Sequence, residues 1–211
     1  MYDLRSVSLF FALAECGAIL VPLPSHSGSD NLGLQEIAGV THHLCENKIE
    51  KVTRTRAHCQ PPLYDTLKKS GHPGLVLFTS GSTGHPKAAL HDLHALYSRY
   101  ATPRPCARML VFMQMDHIGG VNTLLYITSH GGAIVSPASR SASDVCAAIE
   151  EHRVQVLPTS PTFINMLLIS GCLETFDLTS LERITYGSEP MPQSVLSRIT
   201  QSLPKTQMLQ T

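Results

Sequence analysis

The chain has 211 residues, 43% hydrophobic and 15% charged, a composition that excludes a disordered segment and leaves room for one large or two small domains. Basic and acidic residues cancel to a formal charge of zero, with a sequence pI of about 7.2, which gives no support for a nucleic-acid or anionic-membrane partner. Six cysteines (Cys16, Cys45, Cys59, Cys106, Cys146, Cys172) make no C-x-x-C pair and no compact framework, so reduced thiols and a cytoplasmic location are expected.

The apolar run Val7 to Ala14 is too short to span a membrane. Leu13-Ala14-Glu15-Cys16 resembles a lipoprotein cleavage site, but no basic segment precedes it and Glu15 stands where a small residue is needed, so a targeting role is rejected. Ser6 to Cys16 reads as a helix buried nearly all round through Leu9, Phe10, Phe11 and Leu13. Gly17 stops it, and Ala18 to Leu23 reads as a buried strand closed by Pro22 and Pro24. Ser25 to Asp30 is a polar turn, with Asp30 placed to cap a short helix carrying Leu32, Leu34 and Ile37. Glu46 to Gly74 says least: its basic patch (Lys48, Lys51, Arg54, Arg56) reads as a solvated face, beside Pro61 and Pro62.

Next comes LVLFTSGSTGHPKAAL, Leu75 to Leu90. Leu75 to Phe78 is a buried strand running into a polar, glycine-rich turn. The turn reads Thr79, Ser80, Gly81, Ser82, Thr83, Gly84, His85, Pro86, Lys87. Glycines let successive N–H groups turn toward a common point, which attracts anions. The hydroxyls add donors, and Lys87 adds a charge on a flexible stem. The spacing alone leaves a phosphate-holding loop and a mobile linker both open. It does not fit G-x-x-x-x-G-K-[ST], because two residues separate Gly84 from Lys87 and Ala88 follows the lysine. The full string FTSGSTGHPK resembles the phosphate loop of the adenylate-forming (AMP-binding) enzymes: acyl- and aryl-CoA ligases, luciferase-type enzymes and peptide-synthetase adenylation domains.

Ala88 to Tyr100 reads as a helix with Leu90, Leu93, Ala95 and Leu96 apolar. His91 and His94 sit three apart on it, but no third ligand has a recognisable spacing, so capping or solvated roles and no metal site are expected. Met109 to Met113 is a strand, followed by Met115-Asp116-His117-Ile118-Gly119-Gly120 and an apolar helix from Val121 to Thr128. A histidine at such a junction either caps a turn or lines a cleft, and spacing does not choose. DHIGG resembles the family's next motif, whose histidine or aromatic residue lines the carboxylate-substrate site, so the resemblance implies substrate roles for His117, Gly119 and Gly120. Gly132 to Ser136 is a strand, Ser143 to His152 an amphipathic helix started by Ser143 or Asp144, and Val154 to Leu157 a strand. Pro158 to Thr162 leads into a helix burying Phe163, Ile164, Leu167 and Leu168. Leu181 to Tyr186 is a strand ending in Gly187-Ser188-Glu189-Pro190, at the strand end where open α/β sheets place ligands. In the family a similarly placed loop lies against adenine through its backbone. A last helix carries Val195, Leu196, Ile199 and Leu203, and Gln207 to Thr211 begins another strand.

Strands and helices alternate, so an α/β fold is expected: a mostly parallel sheet with helices on both faces, part of the family's large N-terminal domain. The resemblance runs from Ser6 to Thr211 and covers less than half of a family member. It implies ATP and a small-molecule carboxylic acid as ligands, Mg²⁺ as metal and coenzyme A as acceptor. Thr79 to Gly84 with Lys87, and Gly187 to Pro190, would face the nucleotide; Lys87 and His117 would be catalytic. The glutamate that helps hold Mg²⁺, in a Tyr-Gly-x-Thr/Ser-Glu motif, would lie beyond Thr211, as would the ribose-binding aspartate and the C-terminal domain with its lysine. The 211-residue chain is therefore expected to be catalytically feeble or dead. A peptide-synthetase adenylation fragment and a non-catalytic nucleotide-binding fragment are the alternatives; a P-loop NTPase is more distant.

Overall fold

The computed structural model describes residues 3–24, 28–45, 48–51, 61–80 and 85–211. The chain divides into two compact units: Leu4–Arg99 with Met115–Ile118, and Tyr100–Gln114 with Gly119–Thr211.

The N-terminal unit opens with α1 (Leu4–Glu15). Only Phe10 of this helix is buried, and Leu4 is 84% exposed, so the expected all-round burial is corrected to burial on one side. Gly17 takes φ 73°, a left-handed conformation that glycine adopts without a Cβ penalty, and the helix stops there. Strand β1 (Ile19–Leu20) follows, then α2 (Gly28–Ile37), which starts two residues before Asp30; Asp30 is inside the helix and not its cap. Strand β2 (His42–Cys45) pairs antiparallel with β3 (Lys48–Lys51), and the stretch that says least in sequence, Glu46 to Gly74, holds β3 and helix α3 (Leu63–Ser70). Lys48 and Lys51 lie on β3; Arg54, Arg56 and Cys59 fall outside the described residues. Helix α3 buries Tyr64 and Leu67 at i, i+3 spacing and ends on Gly71 at φ 70°.

The centre of this unit is β4 (Gly74–Ser80), parallel to β1 on one side and antiparallel to β5 (Pro86–Asp92) on the other. Leu75, Val76 and Leu77 are all buried, the pattern of a strand covered on both faces. Val76 packs in a cluster with Ala38 and Tyr64, and the Tyr64 hydroxyl donates to the Ala38 carbonyl at 2.7 Å. Burial raises the Tyr64 pKa.

The expected helix from Ala88 is corrected: residues 86–92 pair along β4, and only α4 (Leu93–Ser98) is helical. Pairing outweighs the helix propensity of Ala88, Ala89 and Leu90. Asp92 then caps α4, its carboxylate accepting from the Ala95 N–H at 3.0 Å.

The C-terminal unit is a five-stranded sheet, wholly parallel, in the order β10-β9-β8-β6-β7. Its strands are β6 (Arg108–Leu110), β7 (Ala133–Val135), β8 (Val156–Thr159), β9 (Arg183–Tyr186) and β10 (Gln207–Gln210). Between them run α5 (Ile118–Ser129), α6 (Ala142–His152), α7 (Pro161–Ser170), the short α8 (Cys172–Thr175) and α9 (Gln193–Ser202). Every residue of β8 is buried, so both faces of the sheet are covered. Leu110, Leu157 and Ile184 meet Val145 and Ile149 of α6, Ile164 and Leu167 of α7 and Ile199 of α9 in one cluster. Ser141 caps α6, its hydroxyl accepting from Asp144 N–H at 3.1 Å; Ser143 and Asp144 lie inside the helix. Cys146 is buried in this core, and burial pushes its thiol up to about 12, consistent with an inert structural role.

Candidate functional site

Of the predicted phosphate loop, Gly81, Ser82, Thr83 and Gly84 lie outside the described residues. The described ends fix where the loop departs and returns. Ser80 pairs with Pro86 and Thr79 with Lys87, so the loop closes an antiparallel hairpin. Lys87 belongs to an edge strand and is exposed, as are Thr79, His85 and Pro86. Parallel pairing to β1 and antiparallel return to β5 anchor the strand before the loop on both sides. A polar, exposed hairpin end with a lysine at its rim, on a buried strand, is chemically fit to meet an anion.

His117 of the same unit precedes α5 and is exposed; its Nε2 lies 3.9 Å from Asp116 Oδ1. Asp116 Oδ1 is buried and has no hydrogen-bond partner, the kind of orphaned acceptor that a donor group satisfies.

In the C-terminal unit Gly119 and Gly120 lie in the first turn of α5, inside the helix and not in the preceding loop. A Cβ at Gly119 would meet Met113 Cε at 3.1 Å, and the Gly119 carbonyl accepts from the Thr123 hydroxyl at 2.8 Å. Gly187 to Pro190 leave the carboxyl end of β9 as expected. Ser188 takes φ 68°, an uncommon conformation for a residue with a side chain. Glu189 Oε2 accepts from both the N–H (3.2 Å) and the hydroxyl of Thr162, at the start of α7. That tie holds the Gly187–Pro190 loop to the neighbouring strand-to-helix turn. A Cβ at Gly187 would come within 2.8 Å of the Thr211 carbonyl oxygen, so glycine permits this close approach. Two features were not singled out in sequence. Thr159, at the end of β8, is 2% exposed and its hydroxyl lacks a partner, and Thr162 holds Glu189.

Mg²⁺ takes oxygen ligands, chiefly carboxylates and phosphates. Among the described residues the one group of three metal-ligating side chains, His72, Asp92 and His94, offers a single carboxylate and two imidazoles at the other end of the hairpin. That set does not fit Mg²⁺. No spacing in the sequence offers a third ligand to His91 and His94, but strand pairing brings His72, 20 residues before Asp92, beside Asp92 and His94. His91 stays outside the group; burial, then the charge of Arg99, holds it below the usual histidine range.

Solved structures and curated relatives bear on these pieces. The chain superposes on the inhibitor-bound N-terminal domain of FACL13 from Mycobacterium tuberculosis with a TM-score of 0.73 at 20% identity, covering 99% of this chain and 60% of that one. In sequence it is similar to the long-chain-fatty-acid–CoA ligase FadD13 of Mycobacterium tuberculosis, 26% identical over 127 residues, which is 57% of this chain and 25% of that protein. It is 30% identical over 140 residues to 4-chlorobenzoate–CoA ligase of a Pseudomonas species, 62% of this chain and 26% of that protein. The aligned segment thus spans about a quarter of these curated relatives. The family model for AMP-binding enzymes matches residues 40–211, most of the chain, and the chain therefore belongs to the AMP-binding enzyme family.

Proposed function

We propose that this chain carries the nucleotide- and acid-binding surfaces of an enzyme that activates a carboxylic acid as its acyl-adenylate, with a CoA thioester as the final product. The observation that carries the reading is the β4–β5 register, which sets Lys87 opposite Thr79 at the loop end of the hairpin, within a family-matched segment. The named relatives act on a long-chain fatty acid and on 4-chlorobenzoate, so the acid itself stays at the level of a carboxylic acid.

In the proposed reaction a carboxylate oxygen attacks the α-phosphorus of ATP. The bond to pyrophosphate breaks and an acyl–AMP anhydride forms. Two anions meet in this step, so fixed cations and N–H groups aimed at the phosphates lower the barrier. Lys87 and the loop from Thr79 to Gly84 supply them in this reading. The Gly187–Pro190 backbone lies along adenine. His117, with Gly119 and Gly120, faces the acid. A thiol of coenzyme A then displaces AMP.

The test is ATP binding by calorimetry together with acid-dependent ATP–pyrophosphate exchange across a panel of carboxylic acids. ATP is expected to bind the 211-residue chain. Acid-dependent exchange with an acid of the panel supports activation as the acyl-adenylate, and failure to bind ATP overturns the functional reading.

A further inference from the structure

The Gly74–Asp92 pair ends the β4–β5 register on the side away from the phosphate loop, roughly 20 Å of strand from the Ser80–Pro86 pair. Three side chains from three elements converge there. His72 comes from the turn before β4, Asp92 is the last residue of β5, and His94 is in the first turn of α4. One ring nitrogen from each histidine and one carboxylate oxygen lie within 4.8 Å of one another. His72 Nδ1 is 2.8 Å from Asp92 Oδ2, and the two imidazoles stack with centroids 4.3 Å apart and an interplanar angle of 23°.

The backbone fixes these groups independently of any ligand. Asp92 uses Oδ1 for the Ala95 N–H, which aims its other oxygen at His72. The Leu93 N–H donates to the Pro73 carbonyl at 3.0 Å, tying the turn that bears His72 to the start of α4. His72 and Asp92 are half-buried and His94 is exposed, so the group is reachable from solvent.

A His72–Asp92 pair would by itself complete the helix cap, to which His94 contributes only its backbone N–H; the His94 imidazole has no part in that. A second imidazole stacked beside the pair gives a donor set of two nitrogens and one oxygen. Such a set suits borderline transition metals, and Zn²⁺ above all, with a further position left for water. The hard cations of nucleotide chemistry prefer all-oxygen sites.

We propose that His72, Asp92 and His94 form a binding site for a divalent transition metal such as Zn²⁺, clamping the turn before β4, the end of β5 and the start of α4. It is separate from the phosphate loop and independent of the proposed reaction.

The test is Zn²⁺ titration of the full 211-residue chain in competition with a chromophoric chelator, repeated on His94→Gln and His72→Gln, with circular dichroism as the check on folding. The His94 imidazole is exposed and only its backbone N–H joins the Asp92 cap, so His94→Gln is expected to fold as the parent does. The parent should take up one tightly held equivalent at micromolar Zn²⁺, and both variants should lose it. No uptake by the parent, or uptake retained by either variant, overturns the proposal; retention would assign the metal to other histidines.

Discussion

Replacing Lys87 with alanine separates a binding role from a folding role. Lys87 is exposed on an edge strand, and among the described residues its side chain makes no ion pair. Removing it should change stability by no more than about 0.5 kcal/mol, as for surface positions without special contacts. A lysine that meets a phosphate makes a charge-assisted hydrogen bond of about 1.5–3 kcal/mol. At 1.4 kcal/mol per factor of ten, that predicts ATP affinity weakened by roughly 10- to 150-fold. Calorimetric titration with ATP measures it, with thermal unfolding alongside to show an unchanged midpoint. Equal ATP affinity for Lys87→Ala and the parent would refute the reasoning.

Ile184 is fully buried between β8 and β10, so Ile184→Ala should lose about 2–5 kcal/mol in urea unfolding, and a loss under 1 kcal/mol would contradict the packing described. A Cβ at Gly132 would come within 2.6 Å of the Ala107 carbonyl oxygen, which accepts from the Ala133 N–H; Gly132→Ala should cost about 1–3 kcal/mol, lowering Tm by a few degrees in differential scanning calorimetry. Ser188 is left-handed, so Ser188→Gly should hold or raise stability while Ser188→Val lowers it by about 1–2 kcal/mol, both read from thermal unfolding. Asp177 is held down to about 2 by hydrogen bonds from the Thr179 hydroxyl and N–H and from Arg153. Because its folded pKa lies below the unfolded value, its contribution is full above about pH 4 and disappears as pH falls through about 2; Asp177→Asn should flatten that part of the acid-unfolding curve.

Much of the C-terminal unit was legible because its signals are local. Leu181–Tyr186 and Gln207–Thr211 are short apolar or mixed runs between turn residues, and the structure places β9 and β10 inside them. The errors came where partners distant in sequence decide. Ala88 to Leu90 are good helix formers, yet pairing with Val76, Leu77 and Phe78 makes them strand; Pro86 at the start and Asp92 as a cap signal were the available hints. Helix α3 was not read from sequence: Leu63, Tyr64 and Leu67 followed by Gly71 carry a helical periodicity, but the segment's basic residues and prolines read as a solvated face. The His72–Asp92–His94 group was beyond reach, because no spacing rule joins a turn residue to a strand end that only the Gly74–Asp92 register brings alongside. For the residues proposed to face the nucleotide the motif strings carry the reading, and the fold explains only how Thr79, Lys87 and the Gly187–Pro190 loop are held.

Five strands running the same way put all their carboxyl ends on one rim of the C-terminal unit, and the turns that follow β8 and β9 leave from it, joined through Thr162 and Glu189. The packed layer beneath, from Leu110 to Ile199, does not depend on what those turns contain. Under the proposed function, exchanging rim residues is expected to retune which molecule is accepted while leaving the foundation intact.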